Sequence, residues 1–326
     1  NIIYLDNGTN TLASMNSDIS NASVLGYNAG TNTYTLSANI FGKKGVTAHL
    51  VLNDSTLSMN QTRLIKTWAN LTISNITIQA KDTSYTWRIW SHARHTTYNV
   101  SVTDSDISGG HILVSPNGYQ EPITPIGITN NYFHDYTCTD ACNEGMLGLY
   151  HDAGVNATIT NNTFGNIHLT AGSYNGIIVL TGYDGMTING FYVNNCSVNS
   201  YGMTYFYGDV DTDYPATITN FEIKDCTGDA ITGKEWGPAI ISNGTITNIS
   251  RDAIHFYYSP NFGHMDYWVH NVTIDGATRR GISNNGVSDD YTVDMYNVTI
   301  NNTANAYYST TPSVYYLTNS KATNYT

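Results

Sequence analysis

Short runs in which apolar and polar residues alternate recur along most of the chain. In NVTIDG, Val272 and Ile274 fall on one side of an extended segment, and NVTINN (297–302) and NITIQA (75–80) show the same alternation. No apolar pattern with a helical period extends through these segments. The repeating element is therefore predicted to be a β-strand.

Each of these runs begins with asparagine, and the copies lie about 28 residues apart. A ninth copy falls near Asn189 or Gly190. Repeats of this length that contain only strands predict a parallel β-helix, in which the chain completes one coil every ~20 to 30 residues. The eight clearest copies begin at Asn75, Asn99, Asn130, Asn161, Asn220, Asn243, Asn271 and Asn297.

The repeated asparagine is explained by the stacking of coils about 4.8 Å apart. Asparagine tolerates the left-handed backbone of a tight turn, and its amide can bond to the asparagine one coil away. We expect these eight side chains to form an inward, inaccessible ladder. A small residue five places later is expected at the next bend, as at Asp135, Asn166, Asn248, Gly276 and Asn302.

The two ends of the chain differ in pattern. In TLASMNSDIS (11–20), Leu12, Met15 and Ile19 share a helical face behind a Thr11 or Asn10 cap, which predicts a helix covering the first coil. TYTLSANI, VTAHLVL and RLIKTW are predicted to be the first strands, and SVYYLTNSKATNYT is strand-like without a capping helix.

The repeat resembles the right-handed parallel β-helix repeat family, the pectate-lyase-like superfamily, most of all its archaeal and bacterial cell-surface members. The resemblance covers 70–305 clearly. It implies an all-β, single-stranded right-handed parallel β-helix of about eleven coils, ~50 Å long, with an N-terminal amphipathic capping helix and an asparagine ladder. We expect a single domain over 1–326, divided into a cap with first coils (1–65), ladder coils (66–305) and a C-terminal coil or assembly strand (306–326).

Composition narrows the classes of partner. Charged residues are only 12% of the chain, about half the usual share, and the net charge is −12. These values argue against binding nucleic acid or anionic lipid. No apolar run is long enough to span a membrane. The chain begins at Asn1 without a signal sequence, so we expect a mature extracellular or cell-surface protein.

The four cysteines suit an oxidising compartment. FYVNNCS and FEIKDCT superimpose at a shift of one coil, which predicts a Cys196–Cys226 disulfide, and Cys138–Cys142 would close a small loop. A zinc site of His134, Cys138, Cys142 and His151 is a weaker alternative, because its spacing matches no familiar finger.

N-x-S/T sequons are frequent. Those at ladder positions (Asn75, Asn99, Asn161, Asn243, Asn271, Asn297) are interpreted as turns followed by strands. The others are the better glycosylation candidates. They are Asn7, Asn21, Asn53, Asn60, Asn70, Asn156, Asn195, Asn248, Asn301 and Asn324.

A catalytic site in this fold needs carboxylates or a basic residue in a cleft. GDVDTDY places Asp209, Asp211 and Asp213 on one side of an extended segment, a row that suits calcium, although a solvated loop explains it as well. The pairs Asp252 with His255, His264 with Asp266, and His151 with Asp152 are interpreted as surface or turn features.

Two absences argue against catalysis. The polygalacturonase-like motifs are missing, since Asp289 and Asp290 alone do not restore them, and 95–223 contains no lysine or arginine. An anionic polysaccharide would be repelled there, whereas neutral glycans can stack on some of the 26 tyrosines.

The tyrosines cluster between the ladder strands, where exposed aromatic patches indicate a partner. The leading hypothesis is an extracellular structural protein that assembles with copies of itself into a filament, sheath or surface lattice, without a cofactor. The alternatives are a carbohydrate-active enzyme, a polysaccharide lyase or glycoside hydrolase with Asp209, Asp211 and Asp213 as its site, or a glycan-binding tailspike-like adhesin.

Overall fold

The computed structural model describes most of the chain. The described residues are 1–43, 47–60, 62–68, 70–83, 86–92, 99–115, 126–139, 145–150, 157–171, 176–181, 187–207, 215–234, 239–257, 265–285, 291–310 and 313–325.

These residues form one helix, α1 (Leu12–Ile19), and many short strands. The strands of the first half are β1 (Ile2–Leu5), β2 (Gly8–Thr11), β3 (Leu25–Asn28), β4 (Thr33–Leu36), β5 (Asn39–Gly42), β6 (Ala48–Asn53), β7 (Thr56–Met59), β8 (Arg63–Thr67), β9 (Asn70–Ser74), β10 (Thr77–Ala80), β11 (Trp87–Ser91), β12 (Val100–Thr103), β13 (Asp106–Ser108), β14 (Gly110–Val114), β15 (Ile126–Thr129), β16 (Tyr132–Cys138), β17 (Leu147–Tyr150) and β18 (Ala157–Leu169). Those of the second half are β19 (Ile178–Thr181), β20 (Thr187–Asn194), β21 (Ser197–Tyr207), β22 (Ala216–Lys234), β23 (Ala239–Ile249), β24 (Asp252–Tyr257), β25 (Met265–Ala277), β26 (Arg280–Asn285), β27 (Tyr291–Tyr296), β28 (Thr299–Thr303), β29 (Asn305–Ser309), β30 (Ser313–Thr318) and β31 (Lys321–Tyr325).

The chain forms two compact units. The first comprises Asn1–Tyr136 and Met146–Asn162, and the second comprises Thr137–Gly145 and Thr163–Thr326. Each unit is built of parallel strands that pair with strands one turn earlier and one turn later. The division into a cap, ladder coils and a terminal coil within a single domain stays a prediction.

Parallel pairing in register gives each unit its core. In the first unit, Ile73, Val102, Ile128 and Ile159 follow one another in successive turns and are fully buried. In the second unit, Ile223, Ile246, Ile274 and Ile300 form an equivalent column. Each buried aliphatic side chain contributes about 1.5 to 3 kcal/mol relative to exposure. The apolar positions of the repeats are therefore the core.

The predicted fold class, an all-β right-handed parallel β-helix, is confirmed. The regular part amounts to about eight turns, where the spacing predicted about eleven. The turns nearest α1 depart from the repeat, because the helix and an antiparallel pairing of β3 with β4 interrupt it.

Helix α1 is the predicted capping helix. Thr11 is its N-cap and forms a capping box with Ser14, in which each side chain accepts from the other residue's backbone N–H. Leu12 and Met15 are buried, so this face of the helix packs on the first strands.

Asparagine occupies the bends, as the sequence suggested, but its side chain points outward. Seven of the eight predicted ladder residues have φ between 48° and 59°, and their side chains are exposed. The amides still bond along the stack: Asn297 Nδ2 donates to Asn271 Oδ1 over 3.0 Å, and Asn271 donates likewise to Asn243. The prediction of an inward, inaccessible ladder is wrong, because a left-handed residue at a bend turns its side chain away from the core.

Asn99 is the eighth predicted ladder residue and does not occupy a bend. It precedes β12, and the left-handed bend of that turn is at Asp104, with φ of 51°. The bends five residues after the asparagines are also left-handed, at Asp135, Asn166, Asn248, Gly276 and Asn302. They carry a second outward ladder, in which Asn302 Nδ2 donates to Asp275 and Asn248 Nδ2 to Asp225.

The amides that do point inward belong to the residues that directly follow two of the predicted ladder asparagines. Asn131 and Asn162 are almost fully buried. Asn131 Nδ2 donates to Val102 O over 2.8 Å and to Asn162 Oδ1 over 3.0 Å, and its Oδ1 accepts from the N–H of Ser105 over 3.1 Å. Asn162 Nδ2 donates to Ile128 O over 2.8 Å. These amides satisfy backbone groups that the bend would otherwise bury without partners.

The outward ladders bear on the glycosylation candidates. Asn7 and Asn21 are exposed; Asn195, Asn248 and Asn324 are also exposed, but their Nδ2 atoms, which a glycan would modify, donate to the neighbouring turn. Asn53, Asn60, Asn70 and Asn301 are half-buried, and Asn156 lies outside the described residues. Glycosylation at these residues stays a prediction.

The inward ladder predicts a sharp contrast between neighbouring asparagines. We expect Asn131→Ala to lower the free energy of unfolding by about 2 to 5 kcal/mol, because two buried backbone groups lose their partners. Asn130→Ala removes an exposed side chain at a bend, with its solvent-exposed hydrogen bond to Asp104, and should cost about 1 kcal/mol. Urea denaturation followed by circular dichroism measures both. Equal losses would show that the buried amide has no special role.

The pH dependence of stability gives a second test. Burial lowers the pKa of His134, but its hydrogen bonds to Asp106 and Asp135, over 2.7 and 2.8 Å, outweigh burial and raise the pKa above its ordinary value of 6.5. The resulting stabilisation is complete below pH 6.5 and is lost as the pH rises through the folded-state pKa. We expect the melting temperature to fall as the pH rises above 6.5, and to fall less in His134→Asn. Parallel curves for both proteins would contradict the assignment.

Candidate active site

A cluster of charged side chains lies on the outer face of one sheet in the second unit. The C-terminal part of β22 pairs with β24, and β24 pairs with β26, so that Thr232, His255 and Ser283 are neighbours in successive turns. Lys234, Tyr257 and Asn285 form the adjacent row. Asp229 and Asp252 lie near the start of the same segments.

Asp229 is 1% exposed and is held by hydrogen bonds from several directions. Its Oδ2 lies 3.0 Å from His255 Nδ1, and its Oδ1 accepts from the backbone N–H of Asp252 over 3.0 Å. Arg251 Nε is 3.5 Å from Oδ1. Burial raises the pKa of Asp229, but His255, Arg251 and the Asp252 N–H together outweigh burial and hold the pKa below its ordinary value. The carboxylate is therefore ionised and fixed.

Asp252 is fully buried and is paired with two arginines. Arg279 Nη2 donates to Oδ2 over 3.1 Å, and Arg279 Nε lies 2.9 Å from Oδ1 as an ion pair. Ser283 Oγ donates to Oδ2 over 2.6 Å, and Arg280 Nη1 is 3.6 Å from the same oxygen. Both carboxylates of the cluster are thus neutralised by guanidinium groups.

His255 is 7% exposed, slightly more than the two carboxylates. Its Nδ1 bonds to Asp229, and its Nε2 lies 3.2 Å from Asn285 Nδ2. Arg280 Nη1 donates to Asn285 Oδ1 over 3.4 Å, and its guanidinium stacks over the Tyr308 ring at 3.5 Å. Lys234 lies above the ring of Tyr257, which is 41% exposed. A buried carboxylate holds this histidine, and cationic side chains belong to the same cluster. Such a set of residues is typical of a general base beside an anion site.

Oxygen and nitrogen atoms of Asp229, Asp252 and His255 lie within 4.8 Å of one another, as in a metal site. Arg251, Arg279 and Arg280 already supply the positive charge that these carboxylates require. An additional divalent cation would meet three guanidinium groups. The cluster therefore fits an anionic ligand better than a metal.

The structure revises the site that the sequence suggested. Asp209, Asp211 and Asp213 lie outside the described residues, and so do His151, Asp152, His264, Asp289 and Asp290. The interpretation of Asp252 and His255 as surface or turn features is wrong, since both are buried. Asp229, Arg251, Arg279, Arg280, Ser283 and Asn285 were missed. One signal was present in the sequence: Arg251 and Arg279 lie one turn apart, with the Arg279 N–H donating to Arg251 O.

The cysteines divide into two kinds. Cys138 is disulfide-bonded, which excludes it from a zinc site; its predicted partner Cys142 lies outside the described residues. Cys196 and Cys226 are buried free thiols, not the predicted disulfide. Each Sγ donates to the carbonyl two residues earlier, over 3.2 and 3.0 Å. The two thiols interact across neighbouring turns, and this contact together with burial raises the pKa of the Cys196 thiol.

The buried Asp229 predicts a specific acid sensitivity. A carboxylate with a lowered pKa stabilises the fold above its ordinary value of 3.8, and this contribution is lost as the pH falls through the folded-state pKa. We expect Asp229→Asn to be less stable at neutral pH by roughly 3 kcal/mol, and to lose less stability on acidification. Urea midpoints measured from neutral to acid pH test this. An acid dependence as steep as that of the unsubstituted protein would contradict it.

Comparisons with known proteins identify the fold. No family model matches the chain, and no curated protein matches it. The crystal structure of the periplasmic alginate epimerase AlgG has a TM-score of 0.55 at 10% identity, over 100% of this chain and 84% of the other. A double mutant of that epimerase gives the same score over 85% of its chain. The catalytic domain of a GH87 α-1,3-glucanase in complex with nigerose has a TM-score of 0.30 at 12% identity, over 99% of this chain and 62% of that chain.

The prediction of a structural surface subunit is wrong, because the alginate epimerase whose structure shares the fold is an enzyme. The tyrosines on which it rested are partly in strands: Tyr205 and Tyr267 are 1% and 3% exposed. Among the described residues, no helix is long and apolar enough to cross a membrane. At such low identity the comparisons show a shared parallel β-helix fold, on which the chemistry is set by the side chains of the sheet face.

Proposed function

We propose that this protein is a carbohydrate-active enzyme that removes a proton from a carboxylate-bearing sugar of a polysaccharide, with His255 as the base. The pairing of His255 Nδ1 with the buried Asp229, inside a cluster of cations, is the observation that carries the proposal. When neutral His255 donates Nδ1–H to Asp229, its Nε2 holds the lone pair. Nε2 lies on the side of the ring opposite the Asp229 carboxylate.

The cations beside His255 suit the charge that this reaction develops. Breaking the C–H bond next to a sugar carboxylate sends the proton to Nε2 and the electron pair into the carboxylate group, which becomes a dianion. Lys234 pairs with Tyr257 on one neighbouring turn, and Arg280 on the other reaches the Asn285 amide that contacts His255; both would stabilise that charge. Return of a proton to the opposite face inverts the carbon, whereas expulsion of the sugar linked at the next carbon cleaves the chain.

Glycoside hydrolysis fits the site less well. It requires one carboxylic acid and one carboxylate in contact with the sugar. Asp229 and Asp252 are 1% and 0% exposed, and their oxygens already accept from His255, Ser283 and arginines. The absence of Lys and Arg from 95–223 argued against an anionic substrate, but Arg251, Arg279 and Arg280 of the later turns gather at this cluster.

Two further observations agree with the proposal. The alginate epimerase that shares the fold acts on a polysaccharide, and it is periplasmic. The disulfide at Cys138 indicates an oxidising compartment. We therefore place the protein outside the cytoplasm, where it would meet such glycans.

The test is incubation of the protein with a panel of polyuronates, with neutral glucans for comparison, in D₂O. We expect either inverted residues that carry deuterium at the carbon next to the carboxylate, detected by NMR, or unsaturated ends that absorb ultraviolet light. His255→Gln should lower the rate by at least about 100-fold, because a general base is removed.

The control variant is Asn243→Ala, which alters an exposed bend of the same unit. It should retain activity. New reducing ends without unsaturation would indicate a hydrolase instead, and an unchanged rate in His255→Gln would exclude His255 as the base.

A further inference from the structure

The hydrogen bonds from His255 lead through Asn285 to Arg280, a side chain that can only donate. Arginine has only donors, so Arg280 Nη1 must donate to Asn285 and the atom it meets must be the amide oxygen. The Nδ2 of Asn285 then faces His255 Nε2, 3.2 Å away. Because Nδ2 is a donor, Nε2 must accept, which requires that it carry no proton.

Asp229 alone does not decide whether Nε2 carries a proton. Its carboxylate accepts from Nδ1–H of the neutral ring and of the doubly protonated imidazolium alike, and the imidazolium has no lone pair and cannot act as a base. An amide N–H directed at Nε2 is compatible only with the neutral ring. A carboxylate at 285 would have the same shape and the opposite preference.

We propose that Asn285, oriented by Arg280, is a positioning residue that keeps Nε2 of His255 unprotonated until a substrate replaces the amide. The inference rests on the proposed function for its consequence, but the protonation state itself does not depend on any activity. It assigns to Arg280 a role beyond neutralising Asp252: the guanidinium stacked on Tyr308 sets which end of the Asn285 amide meets the base.

The charged and titratable groups around His255 lie on its own turn and on nearby turns. On β22 these are Asp229 and Lys234; on or next to β24 they are Arg251, Asp252 and Tyr257, whose ring meets His255 edge-on at 6.1 Å. Arg279 and Arg280 belong to the next turn, and Tyr308 to β29. Among the described residues, Asp229 is the anion that contacts the imidazole of His255, at Nδ1, and the Asn285 amide is its counterpart at Nε2.

The direct test is ¹⁵N NMR of the full chain with labelled histidine, in which His255→Gln assigns the signal. In the unsubstituted protein at pH 7 we expect a neutral ring with the proton on Nδ1. In Asn285→Asp we expect the imidazolium at the same pH, because the new carboxylate accepts from Nε2. Asn285→Ala should shift protonation in the same direction by a smaller amount.

Asn243→Asp is the matched control, since it adds the same charge at an exposed bend and keeps an acceptor for Asn271. Its His255 signal should match that of the unsubstituted protein. A doubly protonated ring or an Nε2 proton in the unsubstituted protein overturns the proposal without any variant. So does an Asn285→Asp signal that matches the Asn243→Asp signal in a folded protein.

Activity separates this inference from the proposed function. On an active polyuronate, Asn285→Asp should lower kcat/KM at pH 7 at least about tenfold and move the acid limb of the pH profile to higher pH. A merely structural role would lower activity equally at every pH, which would count against the inference. If no polyuronate reacts while the NMR result is as expected, the proposed function fails and the assignment of Asn285 stands.

Discussion

The structure depends on the register between successive turns. Parallel strands about 4.8 Å apart share their backbone hydrogen bonds with the turns on either side, so a residue in one turn is fixed against its counterpart in the next. The same register stacks Ile223 on Ile246 in the core and Thr232 on His255 on the outer face. A slip of one residue would exchange these faces and bury the charged cluster in the core.

The bends protect that register. Left-handed asparagine and aspartate residues let the chain turn sharply, and their outward side chains bond from turn to turn along two ladders. Asn131 and Asn162 each directly follow a bend residue. Their side chains point inward and satisfy backbone groups that the bend buries. The low content of charged residues follows from this design, because amides and hydroxyls at short repeat distances bond without the repulsion that stacked like charges would bring.

The charged cluster of the second unit is the exception to this composition, and its arrangement explains how it is tolerated. Each buried carboxylate has a guanidinium partner, since an unpaired buried charge would cost several kcal/mol. Asp229 is shared between Arg251 and His255, whereas Asp252 is held by Arg279, Arg280 and Ser283. His255 contacts the carboxylate only through Nδ1. The neighbouring Asn285 then determines which of the two ring nitrogens is basic.

The sequence by itself determined the parallel β-helix, the strands, the capping helix and the positions of the bends, because alternation of apolar residues and the preference of asparagine for left-handed turns are local properties. It did not determine which way the bend side chains point, nor that Cys196 and Cys226 stay reduced. Only the tertiary structure decided the site. Asp229, His255 and Asn285 are far apart in sequence and meet because the register places Thr232 and Ser283 on either side of His255, with Asp229 three residues before Thr232 and Asn285 two residues after Ser283.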